Sequence, residues 1–126
     1  MPRTVPQLPG VEPGALPFSQ VVEANGFVFL AGQVGIEPGS SGVVPGGAGP
    51  ETRATLDNVG RLLAAVGLGF EDVVRCTVYL RDMADFGAMN EVYRTYFPTD
   101  PPVRATVGVT ALAGDFRVEI DVTAAR

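Results

Sequence analysis

Between residues 51 and 97 the spacing of apolar side chains changes twice, and that double change restricts the chain to folds mixing helix and strand. From Glu51 to Val66 the residues Leu56, Val59, Leu63 and Val66 recur at helical spacing, with Leu62 widening the stripe. Glu51 falls in the first turn of this helix, and Gly67 is placed to end it. Residues 73–80, VVRCTVYL, then alternate Val74, Cys76, Val78 and Leu80 against Val73, Arg75, Thr77 and Tyr79, which is the period of a strand. Past that strand the helical period returns. Asp82 and Asp85 offer N-cap chemistry, Phe86, Met89, Tyr93, Tyr96 and Phe97 form the stripe, and Pro98 stops it.

The flanking segments read as strands. SQVVEA and FVFLAG are joined by Asn25-Gly26, the dipeptide that favours a two-residue type I′ hairpin turn. Residues 104–110 and 117–123 close the chain, the latter with Val118, Ile120 and Val122 on one face. The stretch GIEPGSSGVVPGGAGP reads as a solvent loop in which only Val43 and Val44 can add a short edge strand; it lacks the Lys and the spacing of a phosphate-binding loop. This order predicts an α+β fold, one mixed sheet with both helices on one face, in a single domain spanning residues 1–126. Residues 1–15, with Pro2, Pro6, Pro9 and Pro13, are expected to form an extended N-terminal segment.

The second face of that sheet is expected to carry Arg75, Thr77 and Tyr79, then Arg104, Thr106 and Gly108, then Arg117, Glu119 and Asp121. Such a face is too polar for a core and too structured to be left in water. It is therefore expected to meet the same face of other copies in a closed oligomer, with clefts that bring Arg104 and Glu119 near one another.

What the sequence lacks limits its chemistry. It contains no His, no Trp and no Lys, and its nine basic residues are all Arg. That removes a His-based triad, His metal ligands, a Schiff-base lysine and a P-loop lysine together. Carboxylates, guanidinium groups, hydroxyls, backbone groups and water remain, with no metal or cofactor implied. The net charge of −5 disfavours general nucleic-acid binding, which draws its affinity from basic residues. The lone Cys76 excludes an internal disulfide, and the N-terminal residues hold no apolar run long enough for a signal or membrane segment. A cytoplasmic protein is the expectation.

Five residues stand out, each with a plain reading beside the functional one. Arg104 follows Pro101-Pro102 and opens an apolar, Val- and Thr-rich strand; it is either an ordinary salt-bridge residue or a grip for an anion. Glu119 on the last strand is either a solvated carboxylate or an acid-base group. Asn90 lies four residues after Phe86 and three before Tyr93, so it interrupts the apolar stripe, and a buried amide there needs partners. Cys76 shares the apolar face of its strand and reads as a buried, inert thiol. Phe18 reads as a core or interface aromatic.

Taken in order, LPFSQVVEANGFVFLAGQVG, ATLDNVGRLLAAVG, EDVVRCTVYLRDMADFGAMNEVYRTYFP, PPVRATV and RVEIDV resemble the reactive intermediate/imine deaminase family, also called the RidA or YjgF family and the L-PSP endoribonucleases. The resemblance runs from about Phe18 to Val122. It implies a chorismate-mutase-like fold, a homotrimer whose sheets form a central barrel, and three clefts at the subunit interfaces. It further implies hydrolysis of 2-imino acids, formed from enamines, to 2-keto acids and ammonia. By resemblance, Arg104 grips the substrate carboxylate and Glu119 holds the water, while Asn90 and Gly32 match further site positions. Three positions depart from the family pattern: Phe18 replaces a tyrosine, Ala31 a serine, and Thr106 a cysteine. Thr106 retains the backbone donor and adds a hydroxyl, whereas Phe18 lacks one. Two other readings stay open: a non-enzymatic trimeric sensor of small 2-keto acids, and an endoribonuclease, which the acidity and the absence of His and Lys disfavour.

Overall fold

Each stretch of two-residue period forms a strand and each helical stripe a helix. The computed structural model describes residues 2–9 and 16–126. The elements are β1 (Val21–Ala24), β2 (Phe27–Val34), α1 (Ala48–Ala65), β3 (Val73–Leu80), α2 (Phe86–Tyr96), β4 (Val103–Gly108) and β5 (Val118–Ala125). The strands form a five-stranded sheet in the order β1-β2-β5-β3-β4. Only β3 and β4 run parallel, and α2 lies in the chain between them. The other neighbours are antiparallel, so the sheet is mixed.

Local chemistry explains the joints. Asn25 and Gly26 both have positive φ, 53° and 80°, as a type I′ turn requires. At the end of α1, Gly67 has φ 79°; its N–H donates to the Ala64 carbonyl, and the Leu68 N–H reaches back to the Leu63 carbonyl. This paired arrangement satisfies carbonyls the helix leaves open, and glycine adopts the left-handed conformation at no steric cost. Of the N-terminal segment, Thr4 exchanges two backbone hydrogen bonds of 2.8 Å with Glu23, while residues 10–15 lie outside the described residues.

The core lies between the helices and one sheet face. Val28 and Leu30 of β2, Cys76, Val78 and Leu80 of β3, and Val118, Ile120, Val122 and Ala124 of β5 pack there with Leu56, Val59 and Leu63 of α1 and Met89, Tyr93 and Phe97 of α2. Cys76 is fully buried, as its alternation predicts, and burial pushes its thiol up to about 11.

Several expectations need correction. Val43 and Val44 form no edge strand; a single bond from the Val44 N–H to the Gly35 carbonyl ties the loop to the sheet. Helix α1 begins at Ala48 rather than Glu51, because Pro50 falls in the first turn, where its missing N–H costs nothing. Asp82 does cap, accepting from the Ala84 N–H at 2.9 Å, but Asp85 makes no cap and instead meets Arg117 at 3.2 Å. Phe18 is no core residue, being 56 % exposed.

The largest correction concerns β4. Its register sets Arg104 beside Cys76 and Thr106 beside Val78, so both side chains lie on the helix-covered side of the sheet, not on the open one. The open side receives Val103, Ala105 and Val107 instead. With Phe27 and Phe29 from β2, that face is apolar toward its two sides, while Arg75, Thr77, Tyr79, Glu119, Asp121 and Thr123 make its centre polar.

Glu51 was legible only as a first-turn acid, yet it is 2 % exposed. Its Oε1 accepts from the backbone N–H groups of Arg117 at 2.5 Å and Val118 at 3.2 Å, fastening the start of β5 to α1. Removing that acceptor strands two backbone donors. Glu51→Ala is therefore expected to lower unfolding free energy by about 3 kcal/mol in urea titrations at fixed protein concentration. A loss below about 0.5 kcal/mol would show that water replaces the carboxylate at little cost.

Candidate active site

The candidate residues gather in two places. The first is the outer edge of the helix-covered face, where Arg104 emerges from β4 under α2. Phe86, Asn90 and Tyr93 follow one another at i, i+4 and i+7, so they share one stripe of α2. Arg104 Nη1 donates to Asn90 Oδ1 at 2.8 Å. Its Cζ lies 4.6 Å from the centroid of the Tyr93 ring and 5.7 Å from that of Phe86. The amide that breaks the apolar stripe is thus the acceptor for this guanidinium.

No carboxylate reaches Arg104. Among the described residues the ion pairs are Arg81 with Asp115, Arg117 with Asp85, and Arg126 with Glu23. A half-buried cation held only by an amide oxygen and two aromatic rings keeps an unmet demand for an anion. Two residues on, the side chain of Thr106 projects to the same side, and its Oγ1 is buried with no hydrogen-bond partner. An unmet donor beside an unmet cation suits a carboxylate.

The second place is the open face. Glu119 lies beside Tyr79 on β3 and Val34 on β2. The β2–β5 register slips between Leu30 and Gln33, which leaves Ala31 and Gly32 in a bulge against β5. A Cβ on Gly32 would overlap the Glu119 carboxylate and come within 3.0 Å of its Cδ, so glycine is what lets the acid lie against the backbone. The bulge is tied down. Ala31 donates its N–H to the Gln20 carbonyl at 2.8 Å, and Gln33 Nε2 donates to Gln20 Oε1 at 3.1 Å and to the Ala31 carbonyl at 3.0 Å.

Burial first, and then the charge of Asp121, hold the Glu119 carboxyl above the ordinary glutamate range. Asp121 itself accepts from the Tyr79 hydroxyl at 3.0 Å. A carboxyl shifted upward is a better proton acceptor once ionised and holds the accepted proton at higher pH than an ordinary glutamate.

Arg104 and Glu119 do not meet within one protomer. They lie on opposite faces of the sheet, on strands separated by β3. Arg104, Asn90 and Thr106 form one cluster and Ala31, Gly32 and Glu119 the other; Phe18 is exposed. A further cleft lies elsewhere on the protomer, between α1 and the loop after β2, with Arg53, Asp57, Asn58 and Arg61 on its wall. The sequence gives no direct sign that Tyr93 and Phe86 are neighbours of Arg104. Their signal was Asn90, whose place between two aromatics marks a polar contact on an otherwise apolar stripe.

The family model described as Endoribonuclease L-PSP matches residues 10–126. The chain belongs to this family. Among relatives of this L-PSP family chain, a mouse protein named 2-iminobutanoate/2-iminopropanoate deaminase is 45 % identical over 108 residues, covering 86 % of this chain and 80 % of the mouse protein. A human protein of the same name is 41 % identical over 113 residues, covering 89 % and 82 %. Among solved structures, Escherichia coli TdcF with bound serine is 34 % identical with a TM-score of 0.83, covering 90 % of this chain and 92 % of that one. RidA from an Antarctic Psychrobacter is 28 % identical with a TM-score of 0.88, covering 98 % and 99 %. The mixed sheet with two helices is the fold shared with these structures.

The position of Asp121 gives a test of the electrostatics. Asp121→Asn removes the charge that opposes ionisation of Glu119, so the Glu119 carboxyl is expected to titrate at lower pH while remaining above an ordinary glutamate because burial persists. Carboxyl 13C NMR of wild type and variant measures both midpoints. A midpoint unchanged by the substitution would remove Asp121 from the account.

Proposed function

We propose that this protein hydrolyses small 2-imino acids to 2-keto acids and ammonia, in clefts between the subunits of a homotrimer. The observation that carries this reading is Arg104, a half-buried cation positioned by neutral groups and lacking a carboxylate among the described residues. The deaminase names of the mouse and human relatives support the reaction class.

In the reaction, the substrate carboxylate lies in the guanidinium fork through two charge-assisted hydrogen bonds, with the Thr106 hydroxyl as a further donor. This fixes the adjacent C=N carbon. Glu119 of a neighbouring copy takes a proton from water as the oxygen adds to that carbon and the C=N electrons move to nitrogen. Glu119 returns that proton to nitrogen, giving the neutral carbinolamine; its hydroxyl proton then passes to nitrogen through the same carboxylate as the C–N bond breaks, so that ammonia leaves and the C=O of the keto acid forms. Gly32 gives room beside Glu119, and Ala31, in place of a serine, adds no hydroxyl there. Phe18 supplies apolar contact at the interface. Protein groups and water suffice, without a cofactor.

Two features support the assembly. Arg104 and Glu119 face opposite sides of one sheet, so a small ligand can touch both only when separate copies supply them. The open face also exposes Phe27, Phe29, Val103 and Val107, apolar area that a second copy would cover.

The direct test generates imines with an amino-acid oxidase and traps them with semicarbazide. Wild type is expected to suppress trapping. Arg104→Ala is expected to abolish suppression and to weaken 2-ketobutyrate binding in calorimetry by about thirtyfold or more, as for a desolvated charge pair. Ketobutyrate binding with undiminished trapping would favour the sensor reading instead.

Subunit mixing tests the shared cleft. Arg104→Ala and Glu119→Gln proteins are each expected to be inactive. After joint unfolding and refolding in equal amounts, random trimers would pair an intact Arg104 with an intact Glu119 in about a quarter of the clefts. Recovery of about a quarter of wild-type activity is the expected result. No recovery in correctly refolded mixed trimers would place both residues in a cleft made by one chain, or neither in the cleft.

A further inference from the structure

The stripe Phe86, Asn90 and Tyr93 does more than line a site. Arg104 lies on β4, at the edge of the sheet, where a long side chain with many rotamers would ordinarily sample solvent. Here its guanidinium faces the Tyr93 ring with Cζ 4.6 Å from the centroid, has the Phe86 ring at 5.7 Å, and gives one N–H to Asn90 at 2.8 Å. Tyr93 is itself fixed. It is 5 % exposed, and its ring packs on Phe97 with centroids 4.8 Å apart. In the register of β3 and β4, the fully buried Cys76 lies directly beside Arg104 on the inner side.

We infer that Tyr93 and Phe86 are positioning residues, which hold the Arg104 guanidinium by cation–π contact in the orientation that receives a carboxylate. This rests on the ligand-binding role proposed for Arg104. The physical argument is one of alternatives for the cation. An acidic neighbour would fix Arg104 as well, but would neutralise it and compete with the ligand. An aromatic face attracts the cation through the ring quadrupole and leaves its N–H groups free. Asn90 takes one of the five N–H donors and orients the plane; the rest stay unclaimed by protein groups among the described residues. The rings therefore reduce the conformational freedom that ligand binding would otherwise remove, without consuming the charge that binding uses. Tyr93, deeper and nearer, supports the guanidinium from below, and Phe86, 37 % exposed, shields it from the side.

The distinguishing property is electronic, because a ring that only filled space would not respond to the charge on its face. Tyr93→Phe keeps the ring and is expected to bind 2-ketobutyrate within about twofold of wild type. In that background, 4-fluoro- and 3,4,5-trifluorophenylalanine at position 93 should weaken binding stepwise, reaching about three- to tenfold, with melting temperatures unchanged. Phe86→Leu, at a partly exposed position, should weaken binding about two- to fivefold, and Phe86→Trp should restore it. In the imine assay the same variants should raise KM with little change in kcat, since they affect the grip on the carboxylate and not the water. A flat fluorination series together with full binding by Phe86→Leu would overturn the inference. Arg104→Ala, run alongside, separates the two claims: if it too binds like wild type, the ligand-binding role of Arg104 fails, whereas loss of binding there with a flat series removes only the aromatic clamp.

Discussion

The parallel register of β3 and β4 decides which way Arg104 faces, and the cluster around its guanidinium follows from it. A shift of one residue would turn Arg104 and Thr106 to the open face and put Val103, Ala105 and Val107 under α2. The segment 81–102, with α2 at its centre, forms the crossover between these two strands, so the helix that follows β3 necessarily lies over the strand it leads to. One helical stripe then meets one strand. Its aromatic members meet the guanidinium face and its single amide meets an N–H.

The sheet separates chemistry by side. Its inner face is filled with aliphatic groups except at the β4 edge, where the core runs out and a cation can be admitted without full desolvation. Its open face is polar along β3 and β5, and there the bulge at Ala31 and Gly32 brings backbone against Glu119. Glu51, buried at the start of α1, holds the beginning of β5 and so fixes where Glu119 stands along its strand. The loop ties made by Asn58 to the Val34 and Ile36 carbonyls, at 2.9 and 2.7 Å, anchor the far end of β2 in the same way.

Elements governed by local spacing are legible in the sequence. VVRCTVYL is a strand over the same eight residues in both readings, Asn25-Gly26 makes the turn its composition demands, and Gly67 ends α1. What escapes is whatever depends on pairing. The face presented by β4 is set by its register with β3, and alternation alone leaves two choices; the charge of Arg104 argues for the solvent side, and only the cradle on α2 makes the other side tolerable. Glu51 escapes for a related reason, since its two acceptor contacts lie 66 and 67 residues away in the chain. Of the candidate site, Asn90 was the informative residue: a lone amide on an aromatic stripe implied a polar partner, although not which one.

Under the proposed reaction, the burial of Cys76 has a chemical consequence. Imines exchange readily with primary amines and add thiolates, so an enzyme that concentrates them risks covalent capture by its own side chains. This chain has no lysine to exchange, and its single thiol is sealed in the core in protonated form at neutral pH. The groups of the proposed cleft are a guanidinium, an amide, a hydroxyl and carboxylates, all poor nucleophiles toward such carbon. A site of that composition would offer a reactive imine nothing to capture it, and resistance to self-inactivation would come with the composition.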